Sequence, residues 1–334
     1  MRSRLLVLAS LEPVLPKVRF DRLEVRLRGE ARSRSSVVFT LAIVLAACSP
    51  ATTAEHNGIK IWEEFSGDNA LRHVQALVDL GPRPPGSEAL QQARAYLAKE
   101  LETFGWGVTR QSFTDDTPEG KISFVNLIAT FPAGASQAVP SFLLCSHYDT
   151  KLFANARFVG ANDGGSSNGV LLEMARVLSK QPKLAARVQL VFFDGEEAYV
   201  SFTDTDGLYG SRYFAKQLAA AGKTKQFKGG ILFDMVGDKS LTVTLPPDSP
   251  PTITRGIFAA AEALNVRRHF TYASGAITDD HTPLNAAGIP TIDLIDFEYP
   301  AWHTPDDTMD KISAESLDIV GSVAARYLAD EALK

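Results

Sequence analysis

Two cysteines in 334 residues, Cys48 and Cys145, allow one disulfide at most, so no disulfide scaffold holds this chain together. No apolar run is long enough to span a bilayer. The longest, Val37 to Ala47, has eleven residues, where about 20 are needed. A basic excess is missing too: 34 Lys and Arg stand against 39 Asp and Glu. Nine of those basic side chains but only four of the acidic ones fall within residues 1–47, which leaves the rest of the chain at −10. A body that acidic cannot offer the basic face that phosphate recognition requires, which excludes nucleic-acid binding. At 45% hydrophobic and 22% charged residues, disordered, collagen-like and low-complexity structure is excluded as well. Length alone suggests about two domains, or one large α/β domain with an appendage.

The apolar run at Val37 follows Arg32 and Arg34 and ends in small residues, the layout of an export signal. Its end, Leu45-Ala46-Ala47-Cys48-Ser49, resembles a bacterial lipoprotein signal, which implies cleavage before Cys48 and lipid attachment to it. Residues 1–47 are therefore read as an export-signal region. Residues 1–30 fit neither a signal nor a packed domain, as expected if the start codon is set too early. Residues 48–66 are read as lipid-attachment cysteine and tether, and 67–334 as the functional domain. The expected location is the periplasmic face of a bacterial membrane, with secretion as the alternative. Cys145 is then left as a small buried hydrophobe in a strand.

Past the tether, strand-like and helix-like segments alternate. Leu71, Val74 and Val78 recur at helical spacing until Gly81-Pro82-Arg83-Pro84-Pro85-Gly86-Ser87 breaks the pattern. A second helix is predicted over 88–104, strands over 123–131 and 141–146, and a helix over 169–178. Val188 to Phe193 is a near-continuous apolar run, as expected of a strand covered on both faces. Segments 230–235 and 291–295 repeat that signature. A last helix starts at Ser313, a suitable N-cap with Glu315 in the first turn. The alternation predicts one mixed, mainly parallel sheet between helical layers, in a single α/β domain without internal repeats.

In open α/β sheets, ligands bind beyond the carboxyl ends of the strands. Those ends are loaded here. The strand ending at Ser146 leads into His147-Tyr148-Asp149, and the one ending at Phe193 leads into Asp194-Gly195-Glu196-Glu197. Two further strands lead to Asp234 and to Trp302-His303, while the turn Gly160-Ala161-Asn162-Asp163-Gly164-Gly165 presents Asp163 just before a helix. Singly, each has a bland reading: Asp163 as a helix cap, His303 as a surface histidine, Glu196 and Glu197 as a solvated pair. Their recurrence at one edge of the sheet points instead to a site. Histidine with carboxylates and no nearby cysteine suits zinc with an open coordination position. In a doubled glutamate, one side chain can ligate metal while its neighbour serves as general acid/base.

These segments, with His303-Thr304-Pro305, resemble the zinc-dependent aminopeptidases of the family M28 type. The closer resemblance is to their glutaminyl cyclase branch, which converts N-terminal glutamine to pyroglutamate. It is carried by Phe192 to Tyr199, by Leu208-Tyr209-Gly210-Ser211-Arg212 after a ten-residue insert (198–207), by Asp279-Asp280-His281 and by Trp302-His303-Thr304. The resemblance implies Asp163, Glu197 and His303 as ligands of one zinc and Glu196 as proton shuttle. It implies Asp234 and Asp279 in a hydrogen-bonded acid cluster, with Trp302 and Phe202 against the substrate. Phe202 stands where animal cyclases carry tryptophan, and Thr278 where they carry glutamine.

The alternative is a two-zinc aminopeptidase, in which Asp163 bridges two metals and His147 and Asp234 join the ligands. A non-catalytic domain of the same fold is the third reading. The expected partners are peptides or proteins with N-terminal glutamine, and the chain is expected to be a monomer that meets a membrane only through a lipid at Cys48.

Overall fold

The computed structural model describes residues 60–334 apart from 133 and 135–138. The export signal, Cys48 and most of the tether lie outside the described residues.

Four strands form the centre of the sheet: β3 (Phe142–His147), β4 (Val188–Phe193), β5 (Gly229–Asp234) and β8 (Thr291–Ile295). They are buried almost end to end, as their apolar sequences require. They run parallel to one another in the order β4-β3-β5-β8, so their carboxyl ends open on one edge. An antiparallel hairpin of β1 (Gly107–Thr117) and β2 (Gly120–Thr130) extends the sheet beside β4. The short β6 (Val243–Leu245) and β7 (Phe270–Tyr272) extend it beyond β8. The hairpin turns at Gly120, whose φ of +98° suits glycine.

Side chains alternate between two helical layers, because successive residues of a strand face opposite sides. Leu144 and Ile231 join the larger core with α1 (Gly67–Asp79), α2 (Glu88–Thr103), α3 (Ser167–Ser179), α6 (Pro251–Ala263) and α8 (Ala314–Tyr327). Leu143, Cys145 and Leu232 face α5 (Tyr209–Ala220) and α7 (His281–Ala286). A single turn, α4 (Pro182–Ala185), precedes β4. The mixed α/β sandwich agrees with the sequence reading, and Cys145 is a fully buried strand residue.

Three details differ. The tether ends earlier than expected. Ile61 and Phe65 are buried, and Phe65 sits so close over Gly321 of α8 that a Cβ there would meet its ring at 2.0 Å. In α1 the buried stripe is Ala70, Val74 and Leu77, one position off Leu71 and Val78, because the helix lies closely against α3 and α8. Strand β1 had no apolar signature to find: its residues are mostly exposed and only Phe113 is buried.

Candidate active site

His147 and Asp234 are the last residues of neighbouring strands β3 and β5, and their side chains meet at the carboxyl edge of the sheet. His147 Nε2 lies 3.2 Å from Asp234 Oδ1 and 3.3 Å from Asp163 Oδ1, while its Nδ1 lies 3.5 Å from Asp149 Oδ1. Burial pulls this imidazole down, but three surrounding carboxylates outweigh it and hold its pKa well above the ordinary histidine value.

Asp163 arrives on a distorted turn. Gly160 and Gly164 take left-handed φ of +54° and +72°. A Cβ on Gly160 would come within 2.4 Å of Asp163 O, and one on Gly165 within 2.4 Å of Gly160 O, so only glycine fits the turn. The Asp307 carboxylate then accepts from the backbone N–H groups of Asn162 (2.8 Å) and Asp163 (3.1 Å) and from the Tyr299 hydroxyl (2.8 Å). From beneath, the buried Arg83 guanidinium donates to the carbonyls of Leu77, Gly81, Val159 and Gly160.

Glu196 and Glu197 leave β4 through Gly195, which has φ of +71°. One carboxylate fixes both: Asp149 accepts from the Glu196 N–H at 3.1 Å and the Glu197 N–H at 3.3 Å. The Asp194 carboxylate holds the strand end by accepting from Arg94 Nη2 (2.9 Å), the Val125 N–H (2.7 Å) and the Tyr148 hydroxyl (3.2 Å). Glu197 Oε2 meets His303 Nε2 at 3.2 Å, and Asp163 Oδ2 meets the same nitrogen at 3.4 Å.

His303 itself is strained. Its φ of +53° is rare for a residue with a side chain, as are those of Met235 (+48°), just after Asp234, and Leu208 (+54°), just after the insert. Strain of this kind is held at functional sites by the surrounding structure. The His303 ring is also clamped, stacked on Trp302 with centroids 4.3 Å apart and packed edge-on against Phe153 and Phe158.

The cavity beyond these groups is lined by Glu196, Asp279, Phe202, Ile277, Trp302 and His303, with Asp163 and Asp234 at its base. Burial raises the Glu196 carboxyl well above the glutamate range, reinforced by Glu197, Asp279 and Asp280 and opposed by His147. Burial and then Asp234 push the Asp279 carboxyl up to about 6. At about 6, Asp279 is equipped to exchange a proton close to neutrality. The insert forms one wall, folded around Asp206. That carboxylate accepts from the N–H groups of Tyr199 (2.8 Å), Val200 (2.8 Å) and Ser201 (3.2 Å) and from the Tyr209 hydroxyl (3.0 Å).

Of the expected site residues, Asp163, Glu196, Phe202, Asp234, Asp279, Trp302 and His303 line one cavity, while Glu197 touches His303, and His147 touches Asp163 and Asp234. Donor atoms of Asp163, Glu197 and His303 lie within 4.8 Å of one another, and so do those of His147, Asp163 and Asp234. Both the one-metal and the two-metal ligand sets are thus assembled. Asp163 Oδ2 and both Glu197 carboxylate oxygens are buried without a well-formed hydrogen bond. Beyond the His303 contacts, Glu197 Oε2 has only Lys151 Nζ, at 3.7 Å, and buried acids so short of donors suit a cation. Sequence reasoning missed the supports: Arg83 inside the turn that breaks the first helical pattern, Asp149 as holder of the glutamates, Asp206, and Asp307 four residues after His303. Their roles lie in backbone contacts across distant segments, which no local pattern announces.

A three-layer mixed sheet with acids and histidines at its carboxyl edge is the architecture of zinc-dependent exopeptidases, and the comparisons carry this further. The sequence profile described as Peptidase family M28 matches residues 126–328. A glutaminyl-peptide cyclotransferase-like protein of Bos taurus is 31% identical over 74% of this chain and 72% of its own. The crystal structure of an Acidobacteriales bacterium glutaminyl cyclase superposes with a TM-score of 0.74 at 31% identity, covering 84% of this chain and 98% of that one. A Zn-dependent exopeptidase from Parabacteroides distasonis gives 0.72 at 30% identity, covering 80% and 99%. The chain belongs to peptidase family M28, in its glutaminyl-peptide cyclotransferase branch.

Proposed function

We propose that this chain cyclises the N-terminal glutamine of peptides to pyroglutamate and releases ammonia, using one zinc ion held by Asp163, Glu197 and His303. The observation that carries this reading is the convergence of Glu196, Asp279 and Trp302 in one cavity beside those three ligands. Zinc bound there supplies Lewis acidity to the γ-carbonyl of the glutamine.

The remaining work falls to the chain's own groups. Asp279 holds the α-amine near the carboxamide carbon, so that attack is unimolecular and already oriented. As the new C–N bond forms, Glu196 takes a proton from the amine nitrogen. It then returns that proton to the amide nitrogen, which leaves as ammonia when its bond to the carboxamide carbon breaks. Trp302, Phe202 and Ile277 cover the methylenes and exclude water. His147 and Asp234 hold each other and the inner face of Asp163 in place.

The assembled His147–Asp163–Asp234 set supports a second reading, a two-zinc aminopeptidase in which Glu196 activates water. Incubating the purified protein with a glutamine-initiated dipeptide and following it by mass spectrometry separates the two. An intact peptide lighter by one ammonia supports cyclisation, whereas free glutamine overturns it in favour of the peptidase. The Leu45-Ala46-Ala47-Cys48 sequence further supports export and lipid anchoring at Cys48, on the outer face of a bacterial membrane.

A further inference from the structure

We propose that a groove adjoining the cavity receives the second residue of the peptide and favours a lysine or arginine there, with Glu298 as the group that reads it. This rests on the cyclotransferase reading above. The groove, of about 130 Å³, shares two of its walls, Ile277 and Phe297, with the inner cavity. A peptide with its first residue between Glu196 and Asp279 therefore passes its next residue across those two side chains.

The far side is made of small residues. Ser274, Gly275 and Thr244 line it, and a Cβ added to Gly275 would meet nothing within 4 Å, so side-chain bulk is accommodated. Glu298 is the one charged group on the lining and it is exposed. Its carboxylate makes no ion pair or hydrogen bond among the described residues. Its backbone is fixed instead: the Glu298 N–H donates to Asp296 Oδ1 at 3.3 Å, and the other Asp296 oxygen accepts from the Thr242 N–H at 2.9 Å.

The lining holds both parts that a long basic side chain needs. Phe297 is 43% exposed and is braced by Trp302, their centroids 5.0 Å apart, so it offers an apolar face for an aliphatic stem. The unpaired carboxylate of the adjacent residue, Glu298, stands on the same lining and would take the cationic head. A short or acidic second residue uses neither.

The test is kcat/KM for three matched glutamine-initiated dipeptide amides with Lys, Ala or Glu second, at low salt. The expected order is Lys, then Ala, then Glu, with about two- to five-fold between steps, the range of a solvent-exposed ion pair. The spread should shrink at about 1 M salt, where screening acts within a few ångströms. Glu298→Gln should collapse the Lys preference, and Glu298→Lys should reverse the order. Equal efficiency for all three peptides, or the same order surviving in Glu298→Gln, overturns the groove assignment and leaves the cyclotransferase reading standing. Failure of all three to cyclise overturns both.

Discussion

The Asp149 carboxylate accepts from the backbone amide of Glu196 at 3.1 Å with one oxygen, and from that of Glu197 with the other. One acid thus orients two adjacent glutamates whose side chains diverge: Glu197 towards His303, and Glu196 into the substrate cavity. Divergence of neighbours is what gives the pair two jobs, and it can be tested.

Glu196→Gln keeps shape and removes basicity. Zinc content should be retained while kcat falls by about 10²–10⁴-fold, the usual loss of a general acid/base. Glu197→Gln removes an anionic ligand, so zinc content and rate should fall together. Metal analysis alongside kcat for both variants checks the assignment; a reversed pattern means reversed roles.

Metal stoichiometry is the second test. One tightly held zinc per chain is expected, and its removal by a chelator should abolish turnover and lower Tm, since the buried Asp163 and Glu197 carboxylates would lose the charge that offsets their burial. His147→Ala should leave zinc content at one equivalent. Two equivalents, both required for turnover, would establish the dinuclear site.

Arg83 carries a prediction about architecture. Arg83→Met removes the donor to four backbone carbonyls and leaves them buried. A loss of about 2–5 kcal/mol is expected, because each orphaned group carries a desolvation penalty. Urea titration measures it. Zinc affinity should fall in the same variant, because the Gly160 turn that presents Asp163 loses its floor.

At the N-terminus, Cys48→Ala should move the protein from the membrane fraction to the soluble one, since the acyl chains would be its sole anchor. No helix among the described residues is long and apolar enough to cross a membrane. Sedimentation of the variant with membranes would count against lipidation.

The sequence exposed the parts of the fold whose environment is uniform. Val188–Phe193 and Thr291–Ile295 are buried on both faces and read as strands at their observed boundaries. Ser313 caps α8 as its residue type suggests, its side chain accepting from the Ser316 N–H at 3.1 Å. Strand β1 stayed hidden because an edge strand with one apolar contact has no periodicity to show. The acids and histidines of the cavity were legible as a group because such residues are rare at strand ends. Asp149, Asp307 and Arg83 were not, because an acid holding amides or an arginine holding carbonyls looks like any charged residue until the chain is folded.

The carboxylate of Asp206, gathering three consecutive amides and a tyrosine hydroxyl, makes the insert a piece of masonry rather than a door. Burial works to raise its pKa, yet those donors hold it below the ordinary aspartate value, so the wall keeps its mortar across the neutral range. Swinging it aside would break several hydrogen bonds at once. Selection at the cavity is then made by what fits between fixed surfaces, and turnover need not wait for this wall to move. An opening of this kind discriminates by shape at the first encounter.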